Sequence, residues 1–400
     1  MAPAIRRAPR VTPLLVAVLG LLSMSGSFAM DTYLPALPDV ARDLSTSPAL
    51  VQVTLTSFFV GQALGQLAIG PMSDRWGRWW PLLIGSALFV AASAGAALAD
   101  DIWVLIALRF VQGVGAAAGP VVGRAVVADL TTGARAARLF GILLMLFSIA
   151  PVVSPIIGGP LAEWGGWRAT MWGITVVSFI AFVTVFIVPE SLPREQRRVV
   201  HARTIGRDFL DLVRHRAFFL AALLLTASFG VITAWLAASS FVLQNHFALS
   251  PLQYSLAFAA IFVGFLLAGL LNTALLRSFR PEQILHASVN ALIVSTLILL
   301  GFLIVGYLPL WLLLVLVTVS CSAVAPLAAN AIAVGISLVE PNRAGTASAL
   351  MGAMETLIPA VLIPIIGMFD ASPTPLVIAF VLSAAVCLAL DLMLRRALQK

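Results

Sequence analysis

"GPMSDRWGRWWPLL", Gly70 to Leu83, sets one acid, two arginines and two glycines between two long apolar stretches. Whether this is a surface loop or a bend between membrane spans decides the fold. Composition settles it: 61% of the 400 residues are hydrophobic and 10% are charged, whereas soluble domains carry roughly 25% charged residues. A helix needs about 20 mostly apolar residues to cross a ~30 Å hydrocarbon layer. The runs on either side of this turn have that length, not the ~10-residue alternation of a membrane barrel. An all-α membrane protein is therefore predicted.

Working outward from the turn, helices are expected near 12–36, 48–70, 80–99, 102–125, 136–160, 168–189, 217–245, 250–275, 284–306, 308–334, 343–368 and 375–394. This makes twelve transmembrane helices, and an even number places both termini on one side. Of the 24 Lys and Arg, only Arg42 and Arg168 fall in or at the edge of the odd-numbered loops, while Arg109 lies well inside a helix. The positive-inside rule then puts both termini in the cytoplasm. The net charge of +7 reads as topological, with basic side chains facing anionic lipid, and no nucleic-acid partner is expected. "RRAPR" followed by an apolar helix is read as an uncleaved first span. Cys321 and Cys387 have no metal or redox spacing and read as small buried hydrophobes.

Between Glu190 and Arg216 runs the longest polar segment, with seven arginines, four acids and two histidines. It divides the chain into an N-terminal six-helix bundle at 1–190, a cytoplasmic linker at 191–216 and a C-terminal six-helix bundle at 217–400. The linker holds a candidate amphipathic surface helix, "IGRDFLDLVRHR". Two six-helix halves are the layout of transporters that rock around a central site. The Arg-x-x-Arg spacing of Arg75–Arg78 recurs at Arg277–Arg280, a trace of pseudo-symmetry.

Gly70-x-x-x-Asp74-Arg75-x-Gly77-Arg78, lying between spans 2 and 3, resembles the loop signature of the major facilitator superfamily. The glycines permit a tight turn, Asp74 can face the positive end of a helix, and Arg78 can pair with Asp129. The resemblance implies that the helix is the eleventh, beginning near Arg343, so that the turn latches the halves. Where the family has a second basic residue after Arg78, this chain has Trp79. In helix 4, Leu105-x-x-x-Arg109-x-x-Gln112-Gly113-x-Gly115 resembles the superfamily's fourth-helix signature, which implies a link between Arg109 and proton coupling. A charged residue that deep costs ~2.5–3.5 kcal/mol on insertion scales, so it should face a partner or a cavity. In helix 5, Gly141, Ala150, Ser154-Pro155 and Gly158-Gly159 resemble the antiporter signature, with Ala150 and Ser154 in place of glycine. Small residues allow close packing and prolines bend the span, which describes a kinked gate helix.

"MDTYLPALP", Met30 to Pro38, resembles the hallmark of the Bcr/CflA drug:proton antiporters, and the resemblance covers nearly the whole chain. It implies that Asp31 is the leading proton carrier. A cation arriving beside a carboxylate favours the form that has lost its proton, so proton release and drug capture compete there. Glu355, deep in helix 11, is the second intramembrane acid, and an ionisable residue at that depth is a functional candidate. Some phenicol exporters of the family carry a further acid two turns before Asp31, where this chain has Ser23. Tyr33, Phe58, Trp235, Asn245, Tyr254 and Asn330 are candidates for an apolar pocket with a few polar groups.

A proton-coupled exporter of bicyclomycin- or phenicol-type or multiple drugs is expected, multi-pass in the bacterial inner membrane and working by alternating access. The expected partners are a small-molecule drug, H+ and membrane lipid, with the chain acting as a monomer. No cofactor is expected: protons drive the cycle, and there is no Gly-x-x-x-x-Gly-Lys-Ser/Thr for a nucleotide. The alternative is a carrier of an endogenous metabolite or sugar on the same fold. No paired catalytic cluster or nucleophile elbow suggests an enzyme.

Overall fold

The computed structural model describes residues 12–131, 133–193, 197, 211–339, 344–369 and 372–398. The described chain is helical throughout, with no strand among these residues. Helix α1, Pro13–Tyr33, starts on a proline with Thr12 as its N-cap. It continues through a 3-10 turn, Leu34–Ala36, into a short helix, Leu37–Asp43. Helix α2, Pro48–Trp76, is capped by Ser47, α3 runs Trp79–Ala97, and α4 runs Ile102–Leu130 with Asp101 capping its first turn. Oxygen caps and N-terminal prolines supply and excuse the backbone donors that an isolated helix start leaves unpaired.

Between Gly133 and Thr184 two helices meet at a kink at Gly166, whose φ of 67° and ψ of −171° suit glycine. They are α5 (133–165) and α6 (167–184). Then come α7 Arg216–Phe241, α8 Pro251–Leu275, α9 Pro281–Val305, α10 Leu310–Ser337, α11 Ala344–Gly367 and α12 Pro373–Leu398. Ten described stretches are long and apolar enough to cross a bilayer. One of them, Ser148–Ile187, contains the Gly166 turn, and α11 is not among the ten.

Because the helices alternate in direction, the turns fall on two faces. The proximal face holds the start of α1 and the α2–α3 turn, and the distal face holds the end of α1. Helices α1–α6 pack mainly on one another, as do α7–α12; between the groups, α2 meets α11 and α5 meets α8. Large apolar side chains lie on the outside, including Leu67, Val263, Leu270 and Ile304, as expected where the surrounding solvent is hydrocarbon. Within the first group, backbones touch. A Cβ added to Gly113 of α4 would stand 2.1 Å from the Phe58 carbonyl of α2, a spacing only glycine permits.

The linker at 191–216 and its surface helix fall mostly outside the described residues, as does Arg343.

Candidate functional site

Arg109 is fully buried, and the fold surrounds it with polarisable groups, not with an acid. Its Nη1 donates to Gln112 Oε1 at 2.6 Å and its Nη2 to the Met30 sulfur at 3.2 Å. The guanidinium carbon sits 4.7 Å from the Tyr33 ring centre and 4.6 Å from that of Phe58. Gln112 passes the chain on, its Nε2 donating to Ser93 Oγ at 2.7 Å, so α4 is tied to α3. Cation–π contacts at desolvated sites are worth about 2 kcal/mol each, enough to offset much of the cost of the buried charge. Thr54 Oγ1 donates to the Tyr33 hydroxyl at 3.3 Å, fixing that ring.

Asp31 is one residue from Met30 in sequence yet is not paired with Arg109. Met30 and Tyr33, three apart, share the α1 face that meets Arg109; Asp31 is turned off it. The residue is 5% exposed and its carboxylate has no hydrogen bond among the described residues. The hydroxyl of Tyr254, on α8 of the other group, is within its electrostatic reach. That hydroxyl lies 3.1 Å from Ser239 Oγ, and the ring leans on Phe258, which stacks on Trp235 and Phe262. Asp31 therefore sits near the boundary of the two helix groups, within electrostatic reach of the Tyr254 hydroxyl, whose ring belongs to an aromatic cluster from α7 and α8.

Immediately distal of Asp31 the groups are sealed together. Ser240 Oγ donates to the Leu34 carbonyl at 2.6 Å, Gln244 Nε2 to the Pro35 carbonyl at 2.9 Å, and Gln52 Nε2 to the Ala237 carbonyl at 3.0 Å. Glu163 accepts from Ser250 Oγ at 2.9 Å and from the Leu252 amide at 3.1 Å. These are the side-chain hydrogen bonds that cross between the groups among the described residues, and all lie at the distal face. Helix α5 runs through the middle of the seal. Ser154 Oγ donates to the Ala150 carbonyl at 2.6 Å, and Thr32 Oγ1 donates to the Ser154 carbonyl at 3.4 Å. Gly158 backs onto the Thr32 carbonyl of α1, and Gly159 onto Ser255 and the Pro251 carbonyl of α8. Ala150, Ser154 and Pro155 are buried, and Gly141 lies in the proximal part of the same helix.

At the proximal face, Arg78 Nε donates to Asp129 Oδ2 at 2.9 Å, and its Nη1 donates to Asp74 Oδ1 at 2.5 Å and Ser73 Oγ at 2.9 Å. Burial alone would lower the guanidinium's pKa, but the hydrogen bonds to Asp129 and Asp74 outweigh it and raise the pKa. Asp74 thus faces Arg78 here, while Arg75 and Gly70 make no contact of this kind among the described residues; a Cβ at Gly70 would meet no described atom within 4 Å. Gly77 closes the turn at φ 93°.

Two groups the sequence did not single out complete the network. Glu190 accepts from the backbone amides of Arg78 at 2.9 Å, Trp79 at 3.3 Å and Leu192 at 3.1 Å, and so caps α3. Ser191 Oγ donates to Asp129 Oδ2 at 2.7 Å. The signal was "PES", Pro189 to Ser191, just past the sixth span. Replacing Glu190 with Ala removes the cap, and losing a cap costs about 0.5–2 kcal/mol. The thermal midpoint of the purified protein should fall by that measure, and Glu190→Gln, which still accepts, should fall less.

Some candidates are not gathered. Asn330 donates to Asn272 Oδ1 and to the Pro326 carbonyl, both at 2.7 Å, pinning α10 to α8. Asn245 is exposed at the distal face, in the π-helical turn Val242–His246. Glu355 is half-buried in α11. Asp391, which was missed, is fully buried in α12, with Arg395 Nη2 donating to it at 2.6 Å and His286 Nδ1 of α9 at 2.5 Å. Its i,i+4 spacing to Arg395 was the available cue. Arg124 lies inside α4, which extends to Leu130, and Nε of this exposed arginine donates to the Pro120 carbonyl at 2.9 Å.

The described residues contain no cluster of metal-ligating side chains and no nucleophile–base pair. What they contain is a buried cation, an unpartnered buried carboxylate, and a seal closed at one face only. The chain shares this fold with a D-xylose–proton symporter, with a TM-score of 0.77 at 15% identity over 94% of this chain and 96% of that one. It is 31% identical to a bicyclomycin resistance protein homolog of Haemophilus influenzae, covering 88% of each chain. It is 28% identical to multidrug resistance protein D of Escherichia coli, covering 86% of each. The Major Facilitator Superfamily model matches residues 19–364, and the chain belongs to that superfamily of membrane transporters, not to an enzyme family.

Proposed function

We propose that this transporter exports drugs in exchange for protons, and that its antibiotic-resistance relatives mark the substrate class. The observation that carries the reading is Asp31: a buried carboxylate with no hydrogen-bond partner among the described residues, near the boundary of the two helix groups and within electrostatic reach of Tyr254 on the opposite group. Burying an ionised, unpaired carboxylate is costly, so the group is suited to trade a proton for a cationic or polar cargo. In this reading twelve spans form two six-helix units that rock about the central site. The arginine distribution supports a distal face outside the inner membrane and both termini in the cytoplasm. The state described here, sealed distally, then faces inward.

Arg109 provides a fixed positive field near the site, and α5 provides the surface on which the units close. No cofactor takes part. One charge moved through 100 mV yields about 2.3 kcal/mol, and at ~1.4 kcal/mol per decade a single proton sustains a roughly fifty-fold drug gradient. The transporter works as a monomer in lipid.

The test is a fluorescence record of internal pH in vesicles holding the purified chain. Adding a phenicol or bicyclomycin-type drug should produce a pH change that an ionophore abolishes. Drug movement without any pH response would remove the proton from the cycle.

A further inference from the structure

Three of the five hydrogen bonds that cross the distal seal join neutral side chains to backbone carbonyls; the Glu163 carboxylate accepts the other two and is the one charged group among them. Its setting is specific. Helix α8 begins with a capping box, in which Ser250 Oγ accepts from the Gln253 amide and Gln253 Oε1 accepts from the Ser250 amide. Pro251 has no amide hydrogen to satisfy. The first-turn donor that the box leaves over is the Leu252 amide, and it is given to Glu163 Oε2, which also takes the Ser250 hydroxyl.

A carboxylate at a helix N-terminus also meets the positive end of the helix dipole. Glu163 stands at the distal end of α5, on the opposite helix group. A cleft of about 300 Å³ lies beside it, lined from both groups by Asp39, Arg42, Gly166, Gln244 and Pro251. Separation of the groups at this face must break both bonds and hand the Leu252 amide to water.

We infer that Glu163 is a charge latch that holds the distal face closed by capping α8 from across the boundary, and so sets how much of the resting population faces inward. It uses the physics expected of Asp74 at the opposite face, a carboxylate on a foreign helix start. The inference rests on the reading that the two groups separate distally during transport. It adds a positioning residue that never touches cargo or proton.

The experiment uses the full chain in nanodiscs with Cys321 and Cys387 changed to Ala. Spin labels at Arg42→Cys and Asn245→Cys, one on each group, report the distance across the distal face. Glu163 is solvent-exposed, and exposed charge pairs are screened, so the expected effect is moderate. Glu163→Ala should raise the long-distance population about fivefold. Glu163→Gln, which keeps an acceptor oxygen and loses the charge, should raise it about twofold. Unchanged distances in both variants overturn the latch, and if Glu163→Ala does not reach the membrane, unchanged distances in Glu163→Gln alone do so. Efflux by the unsubstituted chain separates the two ideas. Shifted distances with no drug movement leave the latch and end the export reading, and drug movement with unshifted distances does the reverse.

Discussion

Asp31→Asn is expected to reduce drug-driven proton release to background while the protein still folds into the membrane. The substitution keeps the side chain's size and removes the exchangeable proton. Since the native carboxylate has no hydrogen-bond partner among the described residues, no ion pair is broken. Replacing an unpaired buried charge with a neutral amide should leave the thermal midpoint unchanged or raise it. That combination, full stability with no coupling, separates a proton carrier from a helix-capping residue, whose loss would lower stability by ~1 kcal/mol. Asp31→Glu should retain measurable coupling. Unchanged efflux in Asp31→Asn would take the residue out of the mechanism.

The sequence was most legible where one physical demand acts alone. Bilayer thickness forces long apolar runs, so the expected helices at 48–70, 80–99, 250–275 and 343–368 lie close to α2, α3, α8 and α11. Ends were less legible, because polar residues prolong a helix once its turns leave the hydrocarbon. Helix α2 runs on to Trp76 and α4 to Leu130, the latter placing Arg124 well inside a helix. The Arg78–Asp129 contact was readable because both residues fall at helix ends on the same face and Asp129 is the acid at the end of helix 4.

The surroundings of Arg109 were not readable. Sequence reasoning could ask only for a partner or a cavity, and the fold supplies an amide, a thioether and two ring faces from three helices. Such neutral partners leave no charge pattern in a sequence. Glu163 was hidden for a related reason. Its partner is a backbone amide on a helix 89 residues away in the chain, and backbone donors have no letter of their own.

Gly159→Val should open the distal face, with the second-largest effect expected of any substitution here. Gly158 and Gly159 are adjacent in sequence but lie on different boundaries. A Cβ at Gly158 would stand 2.4 Å from the Thr32 carbonyl, within the first helix group. A Cβ at Gly159 would stand 2.5 Å from Ser255 Oγ and 3.1 Å from the Pro251 carbonyl, across the boundary between groups. Overpacking costs about 1–3 kcal/mol. At Gly158 that strain falls within one helix group in every conformation, so Gly158→Ala should lower the thermal midpoint. At Gly159 it exists only while the distal face is closed, so the molecule escapes it by separating there. The equilibrium should then shift toward the distally open state by about 5- to 150-fold, with drug efflux falling because the inward-facing state is seldom visited. The same spin-label pair reads the shift without any cargo. If Gly159→Val lowers stability and leaves the distance distribution unchanged, α5 is an ordinary packing helix and the seal does not turn on it.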